Sequence, residues 1–142
     1  MSQSIWQQEF DLERLNAMNE GNLAGFWDLE FTEIGKDYLK AQFPVTDKVR
    51  QPMGLLHGGA SAAVAETIGS CAAFMCAPKG SMVLGVEINA NHLSAVRHGH
   101  VDVIARPLKL GNSLQVWQIN LEHANKLVCS SRLTVMVKAA KT

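Results

Sequence analysis

Cysteine is scarce in this chain, and its spacing rules out the uses that would define a small protein. Cys71, Cys76 and Cys129 form no C-x-x-C pair and no metal-ligand spacing, and an odd three cannot make a disulfide framework. Free thiols among apolar neighbours in a reducing compartment are what remains. An excess of charge is missing too. Thirteen Lys and Arg offset thirteen Asp and Glu, and only 18% of the 142 residues are charged. A balanced chain has no general attraction for nucleic acid or an anionic membrane surface. A local basic patch for a phosphorylated ligand stays open. The first residues, Met1-Ser2-Gln3-Ser4-Ile5-Trp6-Gln7-Gln8-Glu9, hold neither the basic nor the apolar region of a secretory signal. The most apolar stretch is interrupted by Glu66 and Gly69, short of the unbroken run a membrane span needs. These absences predict a soluble, cytoplasmic protein.

There is also no internal repeat, low-complexity tract or linker. With 47% hydrophobic residues, the chain is expected to form one globular domain over residues 1–142. Asp11 is a plausible N-cap, Leu12, Leu15 and Met18 recur at helical spacing, and Gly21 is a natural stop, which predicts a short helix over 11–20. Phe26–Phe31 and Tyr38–Phe43 alternate as two strands around a Gly35-Lys36-Asp37 turn. Pro44 and Pro52 bracket a polar loop, and a long helix follows over 58–77, closed by Pro78 and Gly80. Four strand-like runs complete the chain: Met82–Leu93, His100–Pro107, Ser113–Glu122 and Lys126–Val137. The last three are joined by the hairpin turns Leu110-Gly111-Asn112 and His123-Ala124-Asn125. In the last run Leu127, Cys129, Ser131, Leu133, Val135 and Val137 share one face. The layout is α+β, an antiparallel sheet curved around one central helix.

That helix opens with Gly54-Leu55-Leu56-His57-Gly58-Gly59-Ala60 and carries a single charge, Glu66. A helix start leaves backbone N–H groups bare, and its dipole favours an oxyanion or a carbonyl oxygen there. Gly58 and Gly59 let such a ligand come close. An acid in so apolar and small-residued a helix points to chemistry rather than solubility, and the pair reads as an acyl-transfer site. The competing readings are a histidine bonded to nearby backbone, an acid paired with Arg106 or Arg132, and a Gln51 that caps the loop before Pro52. Residues nine apart on a helix are about 13.5 Å apart along the axis and half a turn out of phase. His57-Gly58 and Glu66 of one helix therefore do not easily meet on one carbonyl, which predicts a composite site between two subunits.

The assembled pattern resembles the hotdog-fold acyl-CoA thioesterases, in the 4-hydroxybenzoyl-CoA thioesterase superfamily of catalytic-Glu type. It is most similar to the group that includes bacterial 1,4-dihydroxy-2-naphthoyl-CoA hydrolases and the proofreading thioesterases of enterobactin synthesis. The likeness runs from Leu15-Asn16-Ala17-Met18 to Ser130-Ser131-Arg132-Leu133-Thr134. It is carried above all by Gln51-Pro52-Met53-Gly54-Leu55-Leu56-His57-Gly58-Gly59-Ala60-Ser61, Glu87-Ile88-Asn89-Ala90-Asn91-His92 and Gln115-Val116-Trp117-Gln118-Ile119. The resemblance implies Glu66 as catalytic carboxylate and Gly58 as the N–H that polarises the thioester carbonyl. It implies Gln51 and His57 as contacts of the reacting end, and Ser70 as a hydroxyl that holds water or the acid. Met53 and Cys71 fall where acyl-contacting residues vary within the family. An aromatic acyl-CoA in menaquinone biosynthesis is the substrate expected, and Ala60, Ala63 and Cys71 are small enough to leave room for a planar ring.

A CoA substrate needs cations and small donors for its phosphates. His92, Arg97, Arg106, Lys109, Ser113 and Lys138 are the candidates. Glu87, Asn89 and Asn91 form a polar stripe expected to face solvent or a subunit interface, while Trp6, Trp27 and Trp117 read as core or interface. The resemblance further implies a homodimer, commonly paired into a homotetramer, with no metal or redox cofactor, coenzyme A being part of the substrate. Three rivals remain. A hotdog dehydratase would need its His and acid set for α-proton abstraction, and no His-Phe-Pro type loop precedes the helix. A non-catalytic acyl-CoA sensor would bring a DNA-binding helix-turn-helix, for which there are no spare residues. A purely structural assembly protein would leave the polar site unexplained.

Overall fold

Asp11 begins the first helix as expected, its carboxylate accepting the Arg14 N–H, and α1 spans Leu12–Ala17 before turns lead to Gly21 at φ 75°. The next stretch departs from the sequence expectation. Asn22 accepts N–H groups of Ala24 and Gly25 and caps a second short helix, α2, over Leu23–Phe26. Asp28, at φ 56°, turns the chain out of it. The first strand, β1, therefore starts at Glu30 and runs to Ile34, four residues later than the alternation of apolar residues predicts.

The other strands fall close to their expected places: β2 over Leu39–Pro44, β3 over Met82–His92, β4 over His100–Leu110, β5 over Leu114–His123 and β6 over Lys126–Lys138. β4 continues three residues past Pro107. Beyond Ala105 it has lost β2 as a neighbour, so the N–H that Pro107 lacks is not needed on that side. A bulge between Pro107 and Lys109 keeps the strand paired with β5. In the β5–β6 hairpin, Ala124 and Asn125 both have positive φ, 49° and 64°, as a tight two-residue turn requires. The core face of β6 is as expected from Cys129 to Val137, but Leu127 is exposed and Val128 is buried in its place, beside a bulge between Leu121 and Glu122.

The computed structural model describes residues 3–140; Met1, Ser2, Lys141 and Thr142 of the expected 1–142 domain lie outside the described residues. The six strands form one antiparallel sheet in the order β1-β2-β4-β5-β6-β3, with β1 and β3 at its edges. The long helix, α3, spans Gly58–Cys76 and lies against β2, β3, β4, β5 and β6. Val64, Ala65, Ile68, Gly69, Ala72 and Ala73 face the sheet and are buried. At Gly69 the approach is so close that a Cβ would stand 2.7 Å from Leu133 Cδ2 and 3.0 Å from Ile119 Cδ1. That closeness accounts for a helix-interior glycine, which otherwise costs about 1 kcal/mol against alanine.

Buried polar groups tie the far end of α3. Gln115 donates to the Ala73 carbonyl and accepts from Trp117 Nε1, while Trp6 stacks on Trp117 at 6.4 Å. The Gln8 side chain donates to Phe74 O and Ala77 O, and the N–H groups of Gln7 and Gln8 bond Met75 O. The N-terminal segment thus closes the helix C-terminus. Among the described residues α3 is the one helix long and apolar enough by composition to cross a membrane, and here it is the core helix of the sheet. The sheet covers only one side of it. Ala62, Ala63, Thr67, Ser70, Cys71 and Phe74 are half-buried and Glu66 is exposed, so a stripe at helical spacing is left partly open.

Candidate active site

The start of α3 is fixed by its flanking loop. Leu56 donates its N–H to Val96 O and His57 to Val49 O, and Arg50 bridges Leu56. His57 then caps the helix. Its carbonyl accepts the N–H groups of Ala60 and Ser61, and its Nδ1 accepts the Gly59 N–H at 2.8 Å. Of the first four helical N–H groups only that of Gly58 has no acceptor among the described residues. An imidazole that accepts at Nδ1 carries its proton at Nε2 when neutral, so His57 presents an N–H donor outward. The backbone-bonded reading of His57 holds, and its exposed ring edge keeps a donor free for the contact the resemblance implies.

Gln51 behaves similarly. Its Oε1 accepts the N–H groups of Met53 and Leu55, which is the loop cap, and its amide NH2 is left without a protein partner among the described residues. His92, at the end of β3, lies on Gly58, with Nε2 only 2.8 Å from where a Gly58 Cβ would be. A cleft of about 390 Å³ opens here, lined by Gln51, Leu56, Gly58, Ser61, His92 and Leu93 among others. A larger groove of about 760 Å³ runs past Trp6, Phe10 and Met75 near the other end of α3 and offers neither the bare helix N–H nor Glu66.

Glu66 sits apart from this mouth, about 12 Å along the helix axis from Gly58. Its carboxylate has no hydrogen bond or ion pair among the described residues, and Oε1 rests against Gly85 of β3. Neither arginine partners it. Arg106 approaches Asp37 at 3.4 Å and stacks over Tyr38, and Arg132 stands in register with Asn89 and Gln118. The apolar helix does not by itself bury the acid: Glu66 is exposed in the single chain because it lies on the stripe the sheet leaves open. Ser70 follows one turn later on the same stripe, half-buried.

Thr67 and Cys71 line a pocket of about 310 Å³ with Leu15, Met18, Leu23 and Phe31, between α3 and the N-terminal helices. Burial pushes the Cys71 and Cys76 thiols up to about 12, and raises that of Cys129, which keeps all three protonated and poor nucleophiles at neutral pH. Among the described residues no three His, Cys, Asp or Glu side chains are grouped to hold a metal.

The expected phosphate contacts divide. His92 and Arg97 lie beside the mouth, Arg97 near Gly54, whereas Lys109, Ser113 and Lys138 are exposed where the β4–β5 hairpin and the end of β6 meet the C-terminal end of α3. One chain does not bring the two groups together. Met53 is 72% exposed on the loop before the helix, and Gly59, its N–H taken by His57, is open to solvent. The polar stripe of β3, Glu87, Asn89 and Asn91, is exposed; the Asn89 amide donates to Glu87 and its carbonyl accepts from Ser131. Thr67 and the pocket formed with Leu15, Met18 and Leu23 carried no sequence signal of their own, since helical spacing alone accounts for each.

Residues 53–130 match the thioesterase superfamily model. The chain is 49% identical over 134 residues to a 1,4-dihydroxy-2-naphthoyl-CoA hydrolase of Escherichia coli (strain K12), covering 94% of this chain and 98% of that protein. It is 43% identical to a proofreading thioesterase of Cronobacter turicensis, covering 94% and 98% respectively. Among solved structures, a thioesterase from Haemophilus influenzae superposes with a TM-score of 0.91 at 45% identity, over 94% of each chain. A mutant thioesterase from Pseudomonas aeruginosa does so at 0.92 and 39%, over 95% of this chain and 99% of the other. With a bare helix N–H at one end of α3, an unpartnered carboxylate on its open stripe and this degree of likeness, the chain belongs to the thioesterase superfamily and is a hydrolytic thioesterase with the hotdog fold.

Proposed function

We propose that the protein hydrolyses aromatic acyl-CoA thioesters at a site shared by two copies, with Glu66 of one copy facing the Gly58 mouth of the other. The observation that carries this reading is the pair of unsatisfied groups on α3, the Gly58 N–H and the Glu66 carboxylate, too far apart to meet on one carbonyl. The edge strand β3, which touches both Glu66 through Gly85 and Gly58 through His92, leaves one side free for a second copy. The protein is a homodimer in this reading, paired into a homotetramer.

The thioester carbonyl oxygen takes the Gly58 N–H, a contact of a kind worth roughly 2.7–4 kcal/mol in the transition state. The Gln51 amide and His57 Nε2–H orient the thioester. Glu66 removes a proton from water as it attacks, or itself attacks to give a mixed anhydride that water then opens. The C–S bond breaks and CoA leaves as a thiolate, protonated by the Glu66 carboxyl in the first route and by water in the second, while the acyl group leaves as the carboxylate. Ser70 holds the water, and His92, Arg97, Lys109, Ser113 and Lys138, drawn from more than one copy, hold the CoA phosphates. The reaction needs no metal or redox cofactor.

The leading substrate is 1,4-dihydroxy-2-naphthoyl-CoA, in menaquinone synthesis in the cytoplasm. The E. coli relative's activity supports it, as does the pocket of about 310 Å³ beside Cys71, within the range that holds small ligands. A second reading, removal of aryl groups from a carrier protein, is favoured by the proofreading relative. Thiol release is to be measured over a panel of aryl and medium-chain aliphatic CoA thioesters and an aryl carrier-protein thioester, with and without chelator. The aryl-CoA thioesters should give the highest kcat/KM, unchanged by chelator; aliphatic preference or chelator-sensitive, metal-restored activity would overturn the reading.

A further inference from the structure

Gly85 stands in the interior of β3, where glycine weakens a strand and needs a reason. Its backbone supplies none. The glycines held at positive φ are Gly21, Gly54, Gly80 and Gly99, so any side chain could adopt the backbone at Gly85. Space supplies the reason. A Cβ at Gly85 would stand 2.8 Å from Glu66 Oε1, while the next atoms, Glu66 Cδ and Leu133 Cδ1, are at an ordinary 3.8 Å. The contrast with Gly69 is informative, because there the missing Cβ leaves room for the core side chains Leu133 and Ile119. At Gly85 it leaves room for one functional group.

The strand is shaped around the same point. A register shift between Gly85 and Glu87 sets Gly85 opposite Val135 and Glu87 opposite Thr134, leaving Val86 over, 62% exposed on the sheet edge. Bulges of this kind re-aim neighbouring groups and are frequent beside active sites. We propose that Gly85 and the bulge it begins form the seat of the Glu66 carboxylate, making Gly85 a positioning residue for thioester hydrolysis. This rests on Glu66 being the catalytic carboxylate. Hydrolysis depends on aim, and a misplacement of about 1 Å can cost on the order of a hundredfold. A methyl group at Gly85 meets only the mobile end of Glu66, so it moves the carboxylate and spares the fold.

The test is a cycle of four proteins, wild type, Gly85→Ala, Glu66→Asp and the double variant, with Glu66→Gln alongside. Gly85→Ala should remain an assembled protein with a Tm close to wild type, lose roughly 10- to 100-fold in kcat and change KM little. Aspartate is one methylene shorter and withdraws from the seat, so in the Glu66→Asp background the same change should cost less than about twofold. Wild-type kcat in Gly85→Ala, or an equal loss in both backgrounds, would overturn the seat. A Glu66→Gln enzyme that stays active would instead remove the reading of Glu66 itself. Should Gly85→Ala unfold, its Tm is compared in a Glu66→Ala background: recovery there supports the contact, and an unchanged loss overturns it.

Discussion

One imidazole at the helix start does two things at once, and the second follows from the first. By accepting the Gly59 N–H, His57 Nδ1 commits its proton to Nε2, and the ring edge facing outward becomes a donor. Gln51 divides its amide in the same way. Such pairings depend on rotamers, so the sequence named these residues as candidates without showing which atom of each is free. Gly85 was illegible for a related reason, since its neighbour Glu66 is distant in sequence and close only once β3 lies over α3. Glu66 stood out directly, as the lone charge of its helix. Glu66→Gln keeps shape while removing basicity and nucleophilicity, so kcat should fall at least about a hundredfold with KM little changed. Because the carboxylate makes no ion pair within the chain and glutamine keeps its shape, denaturation should show stability within about 0.5 kcal/mol of wild type. The cysteines give a pH prediction. Burial holds Cys71 and Cys76 near 12 against an ordinary 9.0, so above pH 9 the unfolded chain releases protons that the folded chain keeps. Their contribution to stability is intact below pH 9 and is lost as pH rises towards 12. The urea midpoint should therefore fall between pH 8 and 10.5, and by less when both residues are replaced by alanine.

Among the elements, those with strong local signals were legible. The Asp11 cap, the hairpin turn at Ala124-Asn125 and the alternation of β5 and β6 are written over a few neighbouring residues, and each appears in the structure. The four-residue helix α2 has too little length for a period, and its last residue, Phe26, fits the alternation expected of a strand. The bulges in β1, β3, β4 and β6 are settled by pairing between strands, which is why strand ends were less legible than strands. The closure of α3 by residues 7 and 8 was hidden likewise, because it joins segments some 66 residues apart. It yields a clean test. Gln8→Ala removes two hydrogen bonds, at 2.9 and 3.1 Å, from the last carbonyls of the core helix. Urea unfolding should show a loss of about 1–2 kcal/mol, while kcat stays near wild type because the Gly58 mouth is at the other end of α3.

For the whole molecule, the expectation drawn from the sequence rests on simple helix arithmetic. The separation of His57-Gly58 from Glu66 already called for a second copy, and the structure adds an open stripe on α3 and an edge strand, β3, beside both groups. The cations proposed for the CoA phosphates are not legible as a set, since in the proposed function their grouping depends on how copies assemble, and within one chain they lie at two ends. The central claim is that each site takes Glu66 from one copy and the Gly58 mouth from another. It is tested most directly with mixed dimers, purified by two tags, of a Glu66→Gln chain and a Gly58→Ala chain, whose new methyl group would strike His92. Both parent homodimers should be nearly inactive. A shared site predicts that the mixed dimer regains about half of the wild-type kcat, because one of its two sites then receives both native residues. A mixed dimer as inactive as its parents would contradict the account and return the whole site to a single chain.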